Sequence, residues 1–455
     1  MFIGFKRAFA SAMQYRVVGT SLRHTILYTC DDPDLLLVDP KKPGYVSGKR
    51  PSPTISSLSD KRAQENVIFQ RAMAAVEEAN VDLFIPTEST SKAPRKKNAT
   101  SESTLCTRCH SLQHHSAIPN AIEEDKASSF DIYSRIRQDP DAVVVNVIDI
   151  MDFPLSLLDL RKHIGTRPRI IHVFNRMDII YKQPVSARAA KRRLLLLLES
   201  AVATGEEHDV RVISALKGWD VESLANSLRT RRRGTNIYFV GSANAGKSSL
   251  ISTLGRRSKM PNLQLPVISH VPGTTLASIP TEIELFGDVL GRGRGSVVDL
   301  PGVLKPGFSS FIKPESLQSM LPHKHIKAVP MSLKKGESVI LADLIRIDNI
   351  SDEENHILIT PYMQAKAHTT SRPEHIFAKS SEIRQTEIPP LEIAVEHELE
   401  VIKGGRNMLD LVFKDLGFVS VALWKGIAKI RVMTPGGLHC GHRQPALIDN
   451  SYDLV

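Results

Sequence analysis

Long apolar runs, aromatic side chains and cysteines are all scarce in this chain, and each scarcity removes a class of protein. No stretch reaches the roughly 18 consecutive apolar residues of a membrane-spanning helix, and the leucine run 194–198 is far too short. With aromatics at 5% of 455 residues, reading nucleic-acid bases on rows of exposed rings is not the expected mode. Four cysteines, Cys30, Cys106, Cys109 and Cys440, are too few and too unevenly spaced for a secreted disulfide scaffold, which leaves reduced thiols or metal ligands. Acidic residues are missing before Asp31, whereas Lys6, Arg7, Arg16 and Arg23 fall there among serines and threonines. That pattern, with Phe2, Ile3, Phe5 and Phe9 able to share a helical face, predicts a mitochondrial transit peptide over 1–28. A disordered basic tail is the alternative.

What the chain has is enough apolar content, 42%, for proper cores in about two to four domains. Lys and Arg outnumber Asp and Glu by 59 to 49, and the net charge of +10 suits a polyanionic partner such as RNA. Cys106-Thr-Arg-Cys109 is half of a zinc site, since two thiolates on a tight knuckle fill two corners of a tetrahedron. Cys30 is a third ligand at best, because Leu27 and Pro33 stand where its own knuckle partner would be. A fourth would have to come from His24, His110, His114, His115 or an aspartate; a relic knuckle held by packing is the competing reading.

From about residue 128 the pattern alternates. Apolar strands are expected at 142–148, 168–174, 209–213 and 237–240, with helices at 155–163, 186–204 and 221–229 between them. Continuous apolar strands separated by helices indicate a parallel sheet covered on both faces, whose ligands collect at the carboxyl ends of the strands. The strand at 237–240 empties into Gly241-Ser-Ala-Asn-Ala-Gly-Lys-Ser-Ser249, which reads as a phosphate-binding loop. Gly241 and Gly246 let successive N–H groups of the loop, through Asn244, Ala245 and Ser249, point at phosphate oxygens. Lys247 reaches the terminal phosphates, Ser248 can ligate Mg²⁺, and the following helix adds its N-terminal dipole.

Asn175-Arg-Met-Asp178, directly after a strand, resembles the Asn-Lys-x-Asp element of GTP-binding proteins, in which the Asp carboxylate accepts two hydrogen bonds that guanine donates and adenine does not. Arg176 departs from the usual Lys there, although a guanidinium can still lie over the base. Ser214-Ala-Leu216 resembles the element that supports the same base. Val271-Pro-Gly-Thr-Thr-Leu276 supplies a switch threonine, Thr274 or Thr275, for Mg²⁺. Val297-Val-Asp-Leu-Pro-Gly302 places Asp299 toward Mg²⁺ and the Gly302 N–H toward the γ-phosphate. These elements occur in rotated order, base-reading before phosphate-binding, as in a circularly permuted domain.

With Lys42-Pro-Gly-Tyr-Val46, Val147-Ile-Asp-Ile-Met-Asp-Phe-Pro154 and Ser269-His-Val-Pro-Gly-Thr-Thr-Leu276, the chain resembles the YqeH-type circularly permuted GTPases, and within them a fungal mitochondrial branch. The resemblance implies a transit peptide at 1–28, a degenerate zinc-finger-like domain at 29–116, a permuted α/β P-loop GTPase domain at 117–310 and a β-rich α+β domain at 311–455 that contacts RNA or protein. It also implies GTP and GDP as ligands with Mg²⁺, and GTP-dependent assembly of the mitochondrial small ribosomal subunit, in the matrix or against the inner membrane. Val303 stands where small GTPases carry a water-orienting Gln, and Asn244 where related enzymes help bind K⁺, so slow turnover stimulated by K⁺ and a partner is expected. The competing readings are a GTP-dependent RNA-binding scaffold that does not hydrolyse, and a regulator of mitochondrial translation or membrane maintenance.

Beyond residue 310, strands are expected at 337–347, 356–361, 411–421 and 429–433, a short helix at 373–379 and a turn at Pro435-Gly-Gly437. Lys425, Lys429, Arg431, His439, His442 and Arg443 are candidates for a phosphate-binding face, as is Arg231-Arg-Arg233 for RNA contact; a solvated surface is the alternative for both.

Overall fold

The computed structural model describes residues 132–202, 208–258, 279–374, 382–401 and 406–448. The expected transit segment, the cysteines at 30, 106 and 109, and both switch threonines lie outside these residues. The first sheet is built from β1 (Val143–Asp149), β2 (Arg169–Asn175), β3 (Asp209–Val212), β4 (Ile237–Val240), β5 (Ile279–Glu282) and β6 (Ser296–Asp299), in the order β3-β2-β1-β4-β6-β5. All neighbours are parallel except β5, which runs antiparallel to β6 at the edge. Every residue of β1 is buried, as a central strand covered on both faces requires. Parallel running brings the ends of β1, β2, β4 and β6 to one edge of the sheet, with Asp149 directly across the ladder from Asn175.

The helices that cover this sheet differ in detail from the expectation. The stretch after β1 stays a turn, with a short helix only at Leu160–Ile164. The end of β1 captures its polar groups: the Asp149 carboxylate accepts from Met151 N at 3.0 Å, and the Asp149 carbonyl accepts from Phe153 N at 2.9 Å and Ser156 Oγ at 3.1 Å. The helix expected at 186–204 is split into Pro184–Ala189 and Lys191–Ala201, and Pro184 starts the first piece where its missing N–H costs nothing. Val221–Arg231 and Lys247–Arg257 form as the apolar spacing suggested, burying Leu224 and Leu228, and Leu250 and Leu254.

The C-terminal strands are β7 (Met331–Lys334), β8 (Ser338–Leu341), β9 (Ile345–Asn349), β10 (His356–Met363), β11 (Ala367–Thr370), β12 (Leu391–Glu400), β13 (Asn407–Phe413), β14 (Gly417–Leu423), β15 (Ile427–Pro435) and β16 (Gly441–Arg443). They form two antiparallel sheets, β16-β13-β14-β10-β7 and β11-β8-β9-β15-β12. One apolar cluster is shared between them, with Leu333, Ile359, Leu411 and Val421 from the first and Val339, Ile347, Ile430 and Val432 from the second. The arrangement is a sandwich. Stretches read as single strands at 337–347 and 411–421 are hairpins instead. Their turns place Ala342, Asp343 and Asp415 at φ 56°, 54° and 73°. The aspartates tolerate that region, and Asp415-Leu-Gly417 carries a turn signal that the apolar runs on either side outweighed; Ala342 offers none. The helix expected at 373–379 falls mostly outside the described residues.

Two basic groups proposed for RNA contact have structural partners. Arg232 is buried, donating to the carbonyls of Leu290, Gly291, Arg292 and Arg294 at 2.7 to 3.2 Å, so it anchors the turn before β6. Arg443 is fully buried, paired with Asp410 at 2.9 Å and seated 4.1 Å from the Phe418 ring centre. On the β12–β15 ladder, exposed Glu396 pairs with Arg431 at 2.6 Å and Glu398 lies 3.9 Å from Lys429. A continuous cationic face is therefore not formed by these residues. Exposed Glu392 and Glu400 lie on the same strand, β12, which ends its row of strands.

The sandwich grips the loop that follows β1. Ile148, Met151 and Phe153 share an apolar cluster with Val412, Phe418 and Leu447. From the sandwich, Arg443 Nη1 donates to the Ile150 carbonyl at 3.0 Å; from the segment after β6, Lys305 Nζ donates to the carbonyls of Leu155 and Leu157 at 2.8 and 2.7 Å. Lys414 Nζ lies 3.1 Å from Asp152 and 2.8 Å from Asp415, and Asp415 N donates to Asp152 at 2.8 Å. Burial works against charge on both partners: it raises Asp152 and would lower Lys414, yet the two carboxylates outweigh it and hold the ammonium protonated. A buried pair of this kind adds little over apolar packing, but removing one member strands the other. Lys414→Met should therefore cost about 3–5 kcal/mol of stability. A shift of the urea midpoint at pH 7 is the check, and an unchanged midpoint would contradict the role given to the pair.

Candidate functional site

The loop after β4 and the loops after β1, β2, β3 and β6 surround a cavity of about 250 Å³. Two glycines shape the phosphate loop. Gly246 has φ 87°, and a Cβ there would meet Asn175 Nδ2 at 2.4 Å; the β-carbon of any residue at 302 would meet Ala243 Cα at 2.7 Å and Lys247 Nζ at 3.0 Å. The loops carrying these glycines are zipped together by Ala243 N donating to Val303 O at 3.0 Å and Val303 N donating to Gly241 O at 3.1 Å. The loop's Asn244, at φ 63°, faces the same cavity, as do Gly246, Lys247, Ser248 and Ser249 at the start of the helix, while Ala245 is buried beneath.

Lys247 and Asp299 are the buried charges of this half. Lys247 Nζ donates to the carbonyls of Gly241 and Ser242 at 3.3 and 3.0 Å. Burial pushes its pKa down to about 8 against the attraction of Asp299. Burial likewise raises the Asp299 carboxyl to about 6, opposed by Lys247 and by Ser248. Ser248 Oγ donates to Asp299 Oδ2 at 2.6 Å, whereas buried Oδ1 has no hydrogen-bond partner among the described residues. A hydroxyl and a carboxylate with a spare buried oxygen are hard donors and fit Mg²⁺. The threonines Thr274 and Thr275 expected to complete that set lie outside the described residues.

On the other half, Asn175 joins three loops: its Nδ2 donates to the Ala245 carbonyl at 3.0 Å and its Oδ1 accepts from Ala215 N at 2.9 Å. Ser214 Oγ donates to Asp178 Oδ1 at 2.6 Å and accepts from Lys217 N at 3.0 Å. This bond orients the carboxylate, and Asp178 remains part of the cavity lining. Ala215 and Leu216 line the same edge, with Leu216 73% exposed. Arg176 also lines the cavity, and its guanidinium donates to the Asp149 carboxylate and to the Pro322 carbonyl.

Residues to which motif reading gave no nucleotide role also line the cavity: Asp149, Asp152 and Asp415, Arg256 on the phosphate-loop helix, and Gln318, Pro322 and His323. Asp149 and Asp152 had a visible signal, since both stand in the Val147–Pro154 stretch that carries the family resemblance, and Arg256 follows on the phosphate-loop helix. Gln318, Pro322, His323 and Asp415 come from farther along the chain and share no local pattern with the nucleotide motifs. Cys440, in the sandwich, is a buried free thiol whose pKa burial pushes up to about 11.

A family described as "50S ribosome-binding GTPase" matches residues 236–362. The chain is 25% identical to the uncharacterized protein YqeH of Bacillus subtilis, over 75% of this chain and 90% of that one. It is 24% identical to genetic interactor of prohibitins 3, mitochondrial, of Clavispora lusitaniae, over 87% of this chain and 72% of the relative. Against the chloroplastic GTP-binding protein brassinazole insensitive pale green 2 of Arabidopsis thaliana it is 26% identical over 79% of its own length, spanning 60% of that relative. These likenesses place a P-loop GTPase domain in the chain, and such a domain implies GTP or GDP with Mg²⁺. Because no Cβ fits at Gly302, Gly302→Ala should weaken binding of a fluorescent guanosine nucleotide by about tenfold while circular dichroism stays unchanged. Wild-type affinity in that variant would refute the close approach of these loops.

Proposed function

We propose, from the premise that this chain is a homologue of the YqeH-like GTPases over most of its length, that it binds and hydrolyses GTP in a circularly permuted domain. The observation that carries the reading is the convergence of Lys247, Ser248 and the Asp178 turn on one cavity, with Asp299 bonded to Ser248. In this reading Asp178 accepts the two hydrogen bonds that guanine donates, with Ser214 fixing its rotamer and Asn175, Ala215 and Leu216 shaping the base-side loop. The N–H groups of 241–249 and of Gly302 surround the phosphates, and the helix Lys247–Arg257 directs its N-terminus at them. Ser248, Asp299 and one of Thr274 and Thr275 would hold Mg²⁺, which when bound offsets charge on the β- and γ-phosphates. Water adds to the γ-phosphorus, the bond to the bridging oxygen breaks, and GDP leaves with inorganic phosphate. Lys247 stabilises the charge that develops on the transferring group.

Val303, aliphatic beside Gly302, cannot orient the attacking water as an amide would, so intrinsic turnover is slow and waits for K⁺ near Asn244 or for a partner. The partner in this reading is the mitochondrial small ribosomal subunit or its RNA, which the protein would help to assemble in the matrix, with or without contact to the inner membrane. The mitochondrial designation of one relative supports the compartment, and the ribosomal description of the matched family supports a ribosomal partner, although that description specifies the 50S particle. Zinc at Cys30, Cys106 and Cys109 rests on residue spacing alone. The absence of a glutamine at 303 favours a second reading, a GTP-dependent scaffold that does not hydrolyse.

Single-turnover phosphate release, with and without K⁺ and each ribosomal subunit, separates the two; no release under any condition would leave the scaffold. Lys247→Ala should reduce release by at least about a hundredfold in a chain that still folds. Asp178→Asn should lose affinity for GTP and gain affinity for the xanthosine nucleotide, because the amide now matches a carbonyl at position 2. Unchanged GTP affinity would remove the base assignment.

A further inference from the structure

One wall of the nucleotide cavity comes from outside the elements that carry the GTPase motifs. The helix Pro314–Met320 ends against it, and Gln318, Leu321, Pro322 and His323 line the cavity beside Asp178. This wall is stitched to the base-reading turn at two points. Ile326 N donates to the Ile179 carbonyl at 2.8 Å, and Arg176 Nη2 donates to the Pro322 carbonyl. The other arm of the Arg176 fork, Nη1, donates to Asp149 Oδ2, while Asp149 Oδ1 is held by Met151 N. The Arg176 backbone is left-handed, at φ 70°, and its side chain is only 22% exposed. A guanidinium presents donors in two fixed directions, whereas the single nitrogen of a lysine cannot reproduce that planar fork.

We propose that Arg176 is a positioning residue that latches the 321–323 wall to the base-reading turn, and that this latch sets how slowly guanine nucleotide leaves the cavity. The proposal rests on the guanine-nucleotide reading above. Asp149, fixed at the end of a fully buried strand, is the stationary post; Arg176 is the bar, and the Pro322 carbonyl is the part that is held. Because the wall leads directly into the sandwich strands, a partner that takes hold of the sandwich side could draw the wall away and speed nucleotide exchange without touching the phosphate loop.

The alternative role for Arg176 is to lie on the base as the lysine of the resembling motif does, and the two roles predict opposite results for one substitution. Release of a fluorescent guanosine diphosphate from the full chain is measured by chase with unlabelled nucleotide. Arg176→Lys should release about tenfold faster, the effect of losing one charge-assisted hydrogen bond, and hydrogen exchange over 321–326 should rise. Asp149→Asn should also release faster, and combining it with Arg176→Lys should add nothing, since both remove the same latch. Release from Arg176→Lys at the wild-type rate or slower overturns the latch. A wild-type chain that binds no guanosine diphosphate overturns the functional reading, and the latch falls with it.

Discussion

The amide of Asn175 reaches across the cavity floor to Ala215, 40 residues onward, and to Ala245, 70 residues onward. It uses its acceptor on one loop and its donor on the other, so the three loops are fixed relative to one another by a side chain with no conformational choice left. The remaining geometry depends on this staple. The turn that displays Asp178 begins beside it, and the Gly246 backbone passes so close to it that only a residue without a β-carbon fits. A parallel sheet is what makes the staple possible, since it delivers the ends of β2 and β4 to the same edge.

A second constraint acts at the end of β1. The loop from Asp149 to Leu157 supplies groups to the nucleotide cavity and is also held by the sandwich through Arg443 and the Lys414 pair, with Lys305 adding a hold from the segment after β6. The contacts to the Ile150, Leu155 and Leu157 carbonyls use backbone acceptors, whose positions do not depend on side-chain identity. The apolar cluster around Phe153, Phe174 and Phe418 closes the same joint. Nucleotide cavity and sandwich therefore share one piece of chain, held by contacts on both of its sides.

The parallel sheet and the phosphate loop were legible because their signals are local: an unbroken apolar run such as Val143-Val-Val, or glycines at a spacing set by the loop itself. The hairpins at Ala342-Asp343 and Asp415 were not, since L-residues there take a backbone conformation normally announced by glycine or asparagine. Charge misled in the same way. Arg232 and Arg443 look like surface cations in the sequence, but one satisfies carbonyls of a turn and the other lies between Asp410 and Phe418. Whether an arginine is buried depends on acceptors contributed by residues distant in sequence. For Arg176 the motif identified the place and not the direction, because its acceptors, Asp149 and Pro322, stand 27 and 146 residues away.

The long strand β12 at the rim of its sheet carries Glu392, Glu396, Glu398 and Glu400. Among the described residues nothing pairs with its outer side, and such a strand of ten residues is otherwise a template on which a second chain can add by backbone pairing. Charge along the rim, from exposed Glu392 and Glu400 and from the pairs that Glu396 and Glu398 make with Arg431 and Lys429, discourages that addition. The sandwich thus keeps this rim in use as a surface and out of use as a pairing edge.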